Sequence, residues 1–215
     1  MLVFERMTHN PITISPDTPV SEALQLVRKR NARRLPVLDK RERLIGLVTE
    51  KDLLYASPSP ATSLSMHEIS YLLSKLTVDE VMTRHPITVT EDTPIEEAAR
   101  LMMDNGIDAL PVMRGQQLVG IVTETDLFKT FIELFSAREG GVRLTLLVPE
   151  VRGELFTLTQ AISELGGNIL SLGTFQGEDP TNRLLTVKVV DVDEAALIAK
   201  MQEVGAEVID TRTIG

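Results

Sequence analysis

The chain has 215 residues, of which 43% are hydrophobic and 25% are charged, a composition typical of a globular protein with one large or two smaller domains. It contains no cysteine, which excludes disulfides and thiolate metal sites, and its net charge of −9 disfavours nucleic acid as a partner. No apolar stretch approaches the roughly 20 residues that a membrane span requires. The first residues lack the pattern of an export signal, so we expect a cytoplasmic protein that contacts no membrane.

An internal repeat dominates the first part of the chain. Residues 7–54 and 82–128 align with an offset of 75 residues as far as Val37 and Val112, and of 74 residues from Gly46 and Gly120 onward. The copies share Met-Thr, Pro-Ile-Thr, Asp-Thr-Pro, Leu-Pro-Val and Gly-x-Val-Thr-Glu in register. Such a duplication predicts two equivalent units that bury their apolar faces against each other.

Each copy predicts the same order of elements. A short extended segment leads to Asp-Thr-Pro, which indicates a helix with Thr18 or Thr93 as N-cap and Pro19 or Pro94 as its first residue. Two strands should follow that helix, because short apolar runs alternate with polar turns. We predict these strands at Leu35–Leu38, Leu44–Val48, Leu110–Met113 and Leu118–Val122.

The last strand of each copy runs into a matching phrase, residues 46–52 and 120–126. Each phrase predicts a strand that turns into a helix, with Thr49 or Thr123 at the N-cap and Asp52 or Asp126 in the first turn. One interpretation is a capping box, which a single copy would favour. The other is a ligand site, in which carboxylate and hydroxyl hold a ribose diol near the free N–H groups. The recurrence of the phrase inside a larger repeat supports the ligand interpretation.

Two further segments lie around the second copy. Residues 57–63 have the composition of a turn-rich linker, and Ile69, Leu72, Leu73 and Leu76 after it predict an amphipathic helix. The helix after Asp126 carries a stripe of Phe128, Phe131, Ile132 and Phe135. This stripe indicates either domain core or a subunit interface, and the sequence leaves both open.

The chain changes character after Glu139-Gly140-Gly141, where the repeat does not recur. Alternating and helical patterns predict strand, helix, strand, strand, helix and strand, the order of a ferredoxin-like unit. The predicted elements are Arg143–Val148, a helix around Leu155–Leu165, Asn168–Phe175, Arg183–Val190, Asp193–Val204 and Ala206–Thr213.

The paired units, with their Gly-hydrophobic-x-Thr-x-x-Asp phrases, resemble a tandem of CBS domains (a Bateman module), and the tail resembles an ACT domain. The combination is similar to the acetoin-utilisation B-type proteins. The resemblance implies an α/β (α+β) chain of two βαββα CBS repeats packed as a pair plus a ferredoxin-like βαββαβ ACT domain. We place repeat 1 at residues 1–56, a linker and helix at 57–76, repeat 2 at 77–139 and the ACT domain at 141–215.

The resemblance also implies a non-catalytic regulatory sensor, a homodimer whose clefts bind AMP, ADP, ATP or S-adenosylmethionine. In this family the motif aspartate holds the ribose, the early extended segment reads the adenine, apolar groups sandwich the ring, and basic residues meet phosphate. The corresponding positions are Ile12, Thr13, Arg33, Arg34, Pro36, Val48, Thr49 and Asp52, with Ile87, Thr88, Asp108, Pro111, Val122, Thr123 and Asp126 in the second copy.

The two clefts should be unequal, because Arg33-Arg34 in the first copy corresponds to Asp108-Ala109 in the second. An aspartate repels phosphate, so one cleft should suit a charged nucleotide and the other should be weak, empty or take a less anionic ligand. For the ACT domain the resemblance implies dimerisation or a small effector at Gly153, Leu155, Asn168 and Ile169. The loop Arg152-Gly153-Glu154 departs from the Asp-x-Pro-Gly form common in that family.

Two alternatives to a sensor are an enzyme and a scaffold. His9, His67 and His85 have neither metal-ligand nor triad spacing, and no P-loop is present, so we expect neither catalysis nor a metal or catalytic cofactor. A scaffold with vestigial clefts would instead use the apolar helix around Phe128–Phe135 to bind a protein. The sequence does not indicate which enzyme or regulator would be the downstream target.

Overall fold

The computed structural model describes residues 1–56, 68, 71, 75–177 and 179–214. Within them the chain forms two compact units, Met1–Leu127 and Phe128–Gly215, which we describe separately. Most of the linker and helix predicted at residues 57–76 lies outside the described residues. Among the described residues, no helix has the length and apolar character needed to cross a membrane.

The first unit contains both copies of the repeat. Its helices are α1 (Val20–Arg30), α2 (Glu50–Tyr55), α3 (Val78–Val81), α4 (Ile95–Asn105) and the start of α5 (Glu124–Leu134). Its strands are β1 (Thr8–His9), β2 (Arg34–Leu38), β3 (Leu44–Thr49), β4 (Thr83–Arg84), β5 (Val89–Thr90), β6 (Ala109–Arg114) and β7 (Gln117–Thr123). The four strands predicted in the repeats are therefore present, each extended by one or two residues.

The strands form two sheets, and the first strand of each repeat joins the sheet of the other repeat. One sheet has the order β1-β7-β6-β5 and the other β2-β3-β4, with β5 parallel to β6 and the other pairs antiparallel. Strand β1 begins the first copy but pairs with β7 of the second, where Thr8 lies opposite Ile121. Strand β4 begins the second copy but pairs with β3 of the first, where Thr83 lies opposite Leu47. Each repeat thus supplies an edge strand to the other.

The hydrophobic cores follow the same exchange. Val3 and Met7 are buried in the core of the second copy, and Val78 and Met82 are buried in the core of the first. Gly46 and Gly120 make these contacts possible. A Cβ at Gly46 would lie 2.3 Å from Met82 Sδ, and a Cβ at Gly120 would lie 2.3 Å from Met7 Sδ. The missing side chains therefore let each methionine cross the opposite strand.

The predicted helix N-caps are wrong by one residue. Helices α1 and α4 begin after Pro19 and Pro94, which occupy the N-cap position in an extended conformation without a side-chain hydrogen bond. The first helical N–H groups are satisfied by distant carbonyls instead, since Val20 donates to Leu76 O at 2.8 Å and Ile95 donates to Met1 O at 3.1 Å. A threonine cap is not needed where the exchanged segments supply the acceptor.

The second unit has the ferredoxin-like order. Its elements are β8 (Gly141–Pro149), α6 (Glu154–Glu164), β9 (Asn168–Gln176), β10 (Asn182–Val190), α7 (Glu194–Glu203) and β11 (Glu207–Ile214). The antiparallel sheet has the order β11-β8-β10-β9. Inward residues of β8 and β10, among them Leu144 and Val187, pack with Leu158, Ile162 and Leu197 of the two helices. The predicted fold class is confirmed.

The end of α5 packs on the β9–β10 part of this sheet. The ring of Phe135 stacks on Phe175 at 6.2 Å between centroids and lies against Gly173, where an added Cβ would approach it to 2.8 Å. Lys188 Nζ, almost fully buried, donates to Ser136 O at 2.8 Å and to Glu139 O. Of the predicted apolar stripe, Phe135 is therefore partly buried against the sheet, whereas Phe128 and Phe131 are exposed together with Leu134.

We expect Gly46→Ala to destabilise the first unit by about 1–3 kcal/mol, because the new methyl group would overlap Met82 Sδ. In Met82→Ala the overlapping atoms are absent. The double variant should therefore lose less unfolding free energy than the two single variants lose in sum. Urea unfolding of the four proteins gives the coupling energy. Strictly additive effects would contradict the proposed close approach.

Candidate functional site

The two Thr-x-x-Asp phrases lie where β3 continues into α2 and where β7 continues into α5. Each turn is held by a carbonyl from the junction that precedes β2 or β6. Glu50 N donates to Arg33 O at 2.8 Å, and Glu124 N donates to Asp108 O at 3.0 Å. The two motifs therefore have the same backbone setting, and Arg33 and Asp108 occupy equivalent positions, as the alignment predicts.

Both motifs form hydrogen bonds typical of a capping box. Asp52 Oδ2 accepts from Thr49 N at 2.8 Å and from Thr49 Oγ1 at 2.7 Å, and Asp52 N donates back to Thr49 Oγ1 at 3.2 Å. Asp126 Oδ2 accepts from Thr123 N at 3.0 Å and from Thr123 Oγ1 at 2.7 Å. The capping interpretation of the sequence thus describes the local geometry correctly.

Capping does not exclude a ligand role, because these bonds use a single carboxylate oxygen of each aspartate, Oδ2. A diol needs acceptor capacity on the other oxygen, which the capping box does not require. The two aspartates differ in accessibility, since Asp126 is only 8% exposed whereas Asp52 is partly buried. The expected inequality of the two clefts concerns the charge of their junctions and stays a prediction.

An ion pair joins the two repeats beside these motifs. Arg34, the first residue of β2, donates through Nε to Asp108 Oδ1 at 2.8 Å and through a terminal nitrogen to Asp108 Oδ2 at 2.6 Å. The Arg34 side chain is 18% exposed and that of Asp108 49%. By contrast, the Arg33 side chain is 71% exposed and lies 3.7 Å from Glu50. Of the two arginines expected to meet phosphate, only Arg33 is therefore accessible without breaking a bidentate pair.

Arg34 and Asp108 interact electrostatically with charged residues of both motifs. The hydrogen bonds from Arg34 hold the pKa of Asp108 below its ordinary value despite partial burial, and Lys51 of the first motif lowers it further. The pKa of Arg34 is raised by Asp108, and also by Glu124 and Asp126 of the second motif. The backbone places the pair between the two motifs, since Arg34 lies opposite Thr49 in the β2–β3 ladder and Asp108 O accepts from Glu124 N.

The remaining predicted residues differ in accessibility. Ile12 is partly buried, whereas Thr13, Ile87 and Thr88 are exposed. Thr88 also lines a cavity of about 650 Å³ with Leu44, His85, Thr93 and Glu97, whose lining contains neither motif aspartate. Pro36, Pro111, Val48 and Val122 are buried in the strands. The side chains of Val48 and Val122 belong to the two hydrophobic cores and are therefore not accessible.

Sequence reasoning missed the apolar group between the repeats. Leu47, Ala109 and Ile121 form a separate buried cluster, to which each repeat contributes. Leu47 and Ile121 precede Val48 and Val122, and successive strand residues point to opposite faces. Where two adjacent residues are both apolar, the sequence does not reveal which one faces the neighbouring repeat. The structure shows that Leu47 and Ile121 pair with the exchanged strands β4 and β1, a pairing that local sequence patterns do not reveal.

In the second unit, Gly153 and Leu155 line a cavity of about 430 Å³ together with Glu150, Glu154, Thr174 and Arg183. Arg183 forms an ion pair with Glu150, and Glu154 Oε1 is buried without a hydrogen-bond partner. Asn168 and Ile169 lie at the opposite end of β9 from Thr174, roughly 15–20 Å along the strand. The structure therefore brings together two of the four predicted effector residues and separates the other two from them.

Comparison with known families agrees with this architecture. The family profile of the CBS domain matches residues 3–59 and 78–133, more than half of the chain. The chain belongs to the CBS-domain family. Residues 140–212 match the TTHA0829-like ACT domain. We therefore call Met1–Leu127 the CBS pair and Phe128–Gly215 the ACT unit.

The similar curated proteins fall into two groups. A CBS domain-containing protein of Dictyostelium discoideum is 32% identical over 62% of this chain and 93% of its own length. The L-aspartate semialdehyde sulfurtransferase of Methanocaldococcus jannaschii is 31% identical, but the match spans only 23% of its length. The inosine-5′-monophosphate dehydrogenase of Korarchaeum cryptofilum is 33% identical, and the match spans 25% of its length. The chain thus corresponds to about a quarter of these longer enzymes.

Solved structures of CBS proteins superpose on about two thirds of the chain. The CBS domain pair of protein MJ0100, in complex with 5′-methylthioadenosine and S-adenosyl-L-methionine, is 28% identical, with a TM-score of 0.52 and coverage of 65% and 98%. CBSX2 in complex with AMP is 32% identical, with a TM-score of 0.52 and coverage of 62% and 97%. An acetoin utilization protein (AcuB) from Vibrio cholerae is 28% identical, with a TM-score of 0.52 and coverage of 64% and 95%. CBS pairs similar to this one therefore bind adenosyl ligands.

The Arg34–Asp108 pair predicts a pH-dependent contribution to stability. Because the folded-state pKa of Asp108 is lowered, the pair stabilises the protein above the ordinary aspartate value of 3.8 and loses this effect as pH falls through the folded-state pKa. We expect Asp108→Asn to lower the free energy of unfolding by about 1 kcal/mol at pH 7, given its partial exposure, and by less near pH 3.

Urea unfolding at several pH values measures this difference. Asp104→Asn is a matched control, because it removes the same charge from an exposed ion pair with Arg100 on α4. A penalty for Asp108→Asn that stays constant from pH 7 to pH 3 would show that the pair is not its source.

Proposed function

We propose that this protein is a non-catalytic regulatory sensor that binds an adenosyl ligand in clefts between its two CBS repeats. The observation that carries the proposal is the duplicated Thr-Asp arrangement, in which both carboxylates have the same backbone setting and use one oxygen for capping. Similar CBS pairs bind 5′-methylthioadenosine, S-adenosyl-L-methionine or AMP, which supports an adenosyl ligand here. The candidate ligands are AMP, ADP, ATP and S-adenosylmethionine.

In the proposed complex the ribose diol donates to Asp52 or Asp126 while Thr49 or Thr123 holds the carboxylate in place. The early segments Ile12-Thr13 and Ile87-Thr88 read the adenine edge through main-chain groups. This assignment is supported by the accessibility of these segments and by their position before buried residues Ile14 and Val89, which anchor them. Apolar residues at the repeat interface then contact the ring.

We propose regulation rather than catalysis for two reasons. The Thr and Asp side chains of both motifs cap helices, and the charged residues beside them, Arg34 and Asp108, are engaged in an inter-repeat ion pair. Among the residues that the structure describes, no cluster of histidine and carboxylate side chains could hold a metal ion. A sensor acts if its ligand binds one arrangement of the protein more tightly than another.

We further propose that the sensor is a homodimer. On α5 an exposed row of Phe128, Phe131 and Leu134 offers an apolar surface of the kind buried at subunit interfaces. The same surface would serve a scaffold that binds another protein, which is the alternative function. Dependence of that contact on ligand would favour the sensor.

A second candidate ligand site lies in the ACT unit. The cavity beside Gly153 contains Arg183 with its partner Glu150, and the unpartnered Glu154 Oε1. A carboxylate oxygen buried without a donor favours a ligand that brings an N–H group. A small amino acid, whose ammonium and carboxylate complement Glu154 and Arg183, fits this chemistry. The ACT unit therefore either binds such an effector or serves dimerisation alone.

We expect an adenosyl ligand at 100 times its dissociation constant to stabilise the protein by about 2.7 kcal/mol, visible as a shift of the melting temperature. Asp52→Ala and Asp126→Ala should each reduce this ligand-induced shift, because the ribose loses its acceptor. Thermal melts with AMP, ADP, ATP, S-adenosylmethionine and free amino acids measure the effect, with guanosine analogues as negative controls.

Glu80→Ala provides a matched control for lost helix capping. Glu80 forms the same type of capping box with Thr77 at the start of α3, at 2.8 Å from Thr77 N, and belongs to neither motif. Its variant should melt earlier but keep the full ligand-induced shift. A shift that is undiminished in both single aspartate variants would reject the motif site, and one produced only by amino acids would favour the ACT cavity. If none of these ligands shifts the melting temperature, the scaffold function would be favoured.

A further inference from the structure

The Arg34 guanidinium is already paired before any ligand arrives. Two of its nitrogens donate to the two carboxylate oxygens of Asp108, at 2.8 and 2.6 Å, and its side chain is only 18% exposed. In the β2–β3 ladder Arg34 lies opposite Thr49 of the first motif, and the carboxylates Glu124 and Asp126 of the second motif raise its pKa. Arg34 therefore lies next to the proposed ribose site, but with a fixed anionic partner from the opposite repeat.

Carboxylate and phosphate groups compete for an arginine because both match its planar fork of N–H donors in the same bidentate way. A ligand phosphate that takes Arg34 must displace Asp108. The half-buried carboxylate then loses its main partner, and the phosphate also meets the negative charges of Glu124 and Asp126. A ligand without phosphate leaves the pair intact.

We infer that Asp108 is a built-in competitor of ligand phosphate for Arg34, so that the CBS pair favours adenosyl ligands without a phosphate near this pair. The inference rests on the proposed function and specifies its ligand class: neutral or cationic adenine nucleosides, such as a 5′-thioether or a sulfonium. Similar CBS pairs hold ligands with and without phosphate, namely AMP in CBSX2 and 5′-methylthioadenosine in MJ0100. The choice in this chain is made by its own side chains.

The arrangement also refines the inequality expected from Arg33-Arg34 and Asp108-Ala109. The sequence assigns a phosphate-binding junction to one repeat and a repelling one to the other. In the structure the two junctions neutralise each other through Arg34 and Asp108, and exposed Arg33 is left as the accessible cation of the first junction. Removal of Asp108 should therefore release a second cation for phosphate.

The test is calorimetric titration of AMP and 5′-methylthioadenosine into the wild type, Asp108→Asn and Asp104→Asn. We expect the wild type to bind 5′-methylthioadenosine more tightly than AMP. Asp108→Asn should tighten AMP binding about ten- to hundredfold, the range of a charged hydrogen-bonded contact, and leave 5′-methylthioadenosine within about twofold. Asp104→Asn removes the same charge from exposed α4, and screening should keep its effect on AMP near or below about twofold.

Equal tightening of AMP by both variants would overturn the inference, because the effect would then be one of net charge. An Asp108→Asn protein that binds AMP no better than the wild type would overturn it as well. Arg34→Met combined with Asp108→Asn removes both charges, and it should abolish the preference between the two ligands if the pair is its source. Wild-type protein that binds neither ligand would reject the proposed function itself, a result distinct from binding without discrimination.

Discussion

Gly46 and Gly120 have no side chain at the two places where the leading segment of one repeat crosses the last strand of the other. Met82 and Met7 fill these places, and β4 and β1 pair there with β3 and β7. Because of this crossing neither repeat has a complete core of its own, since the core of each repeat contains residues from the leading segment of the other. It also supplies the carbonyl acceptors for the first turns of α1 and α4. The arrangement of both motifs depends on this reciprocal packing.

The exchange places the two motifs beside junctions that carry opposite charges. Arg33 and Asp108 occupy equivalent positions, so two identical Arg-Arg junctions would place an arginine against Arg34, and the two cations would repel each other. The divergence of the junctions to Arg34 and Asp108 turns this repulsion into a bidentate ion pair. The same divergence gives the two junctions different charges, and in the function proposed above this difference would also select the ligand.

The sequence predicted most of the fold because periodicity and duplication are local signals. The strands of both repeats and the β11-β8-β10-β9 unit follow from alternation, turns and element order. The N-caps at Pro19 and Pro94 were not predicted from the sequence. The first N–H groups of their helices donate to the carbonyls of Leu76 and Met1, which are far away in the chain. The Arg34–Asp108 pair was missed for a similar reason, since it joins side chains 74 residues apart. The binding roles of the motif residues remain predictions.

A crystal structure of the protein with 5′-methylthioadenosine at saturating concentration would test the central claim, that adenosyl ligands bind at the motif aspartates between the repeats. We expect a ribose within hydrogen-bond distance of Asp52 or Asp126, adenine beside the early extended segment, and an unbroken contact between Arg34 and Asp108. Ligand density confined to the ACT cavity, or motif aspartates without ligand under saturating conditions, would contradict it.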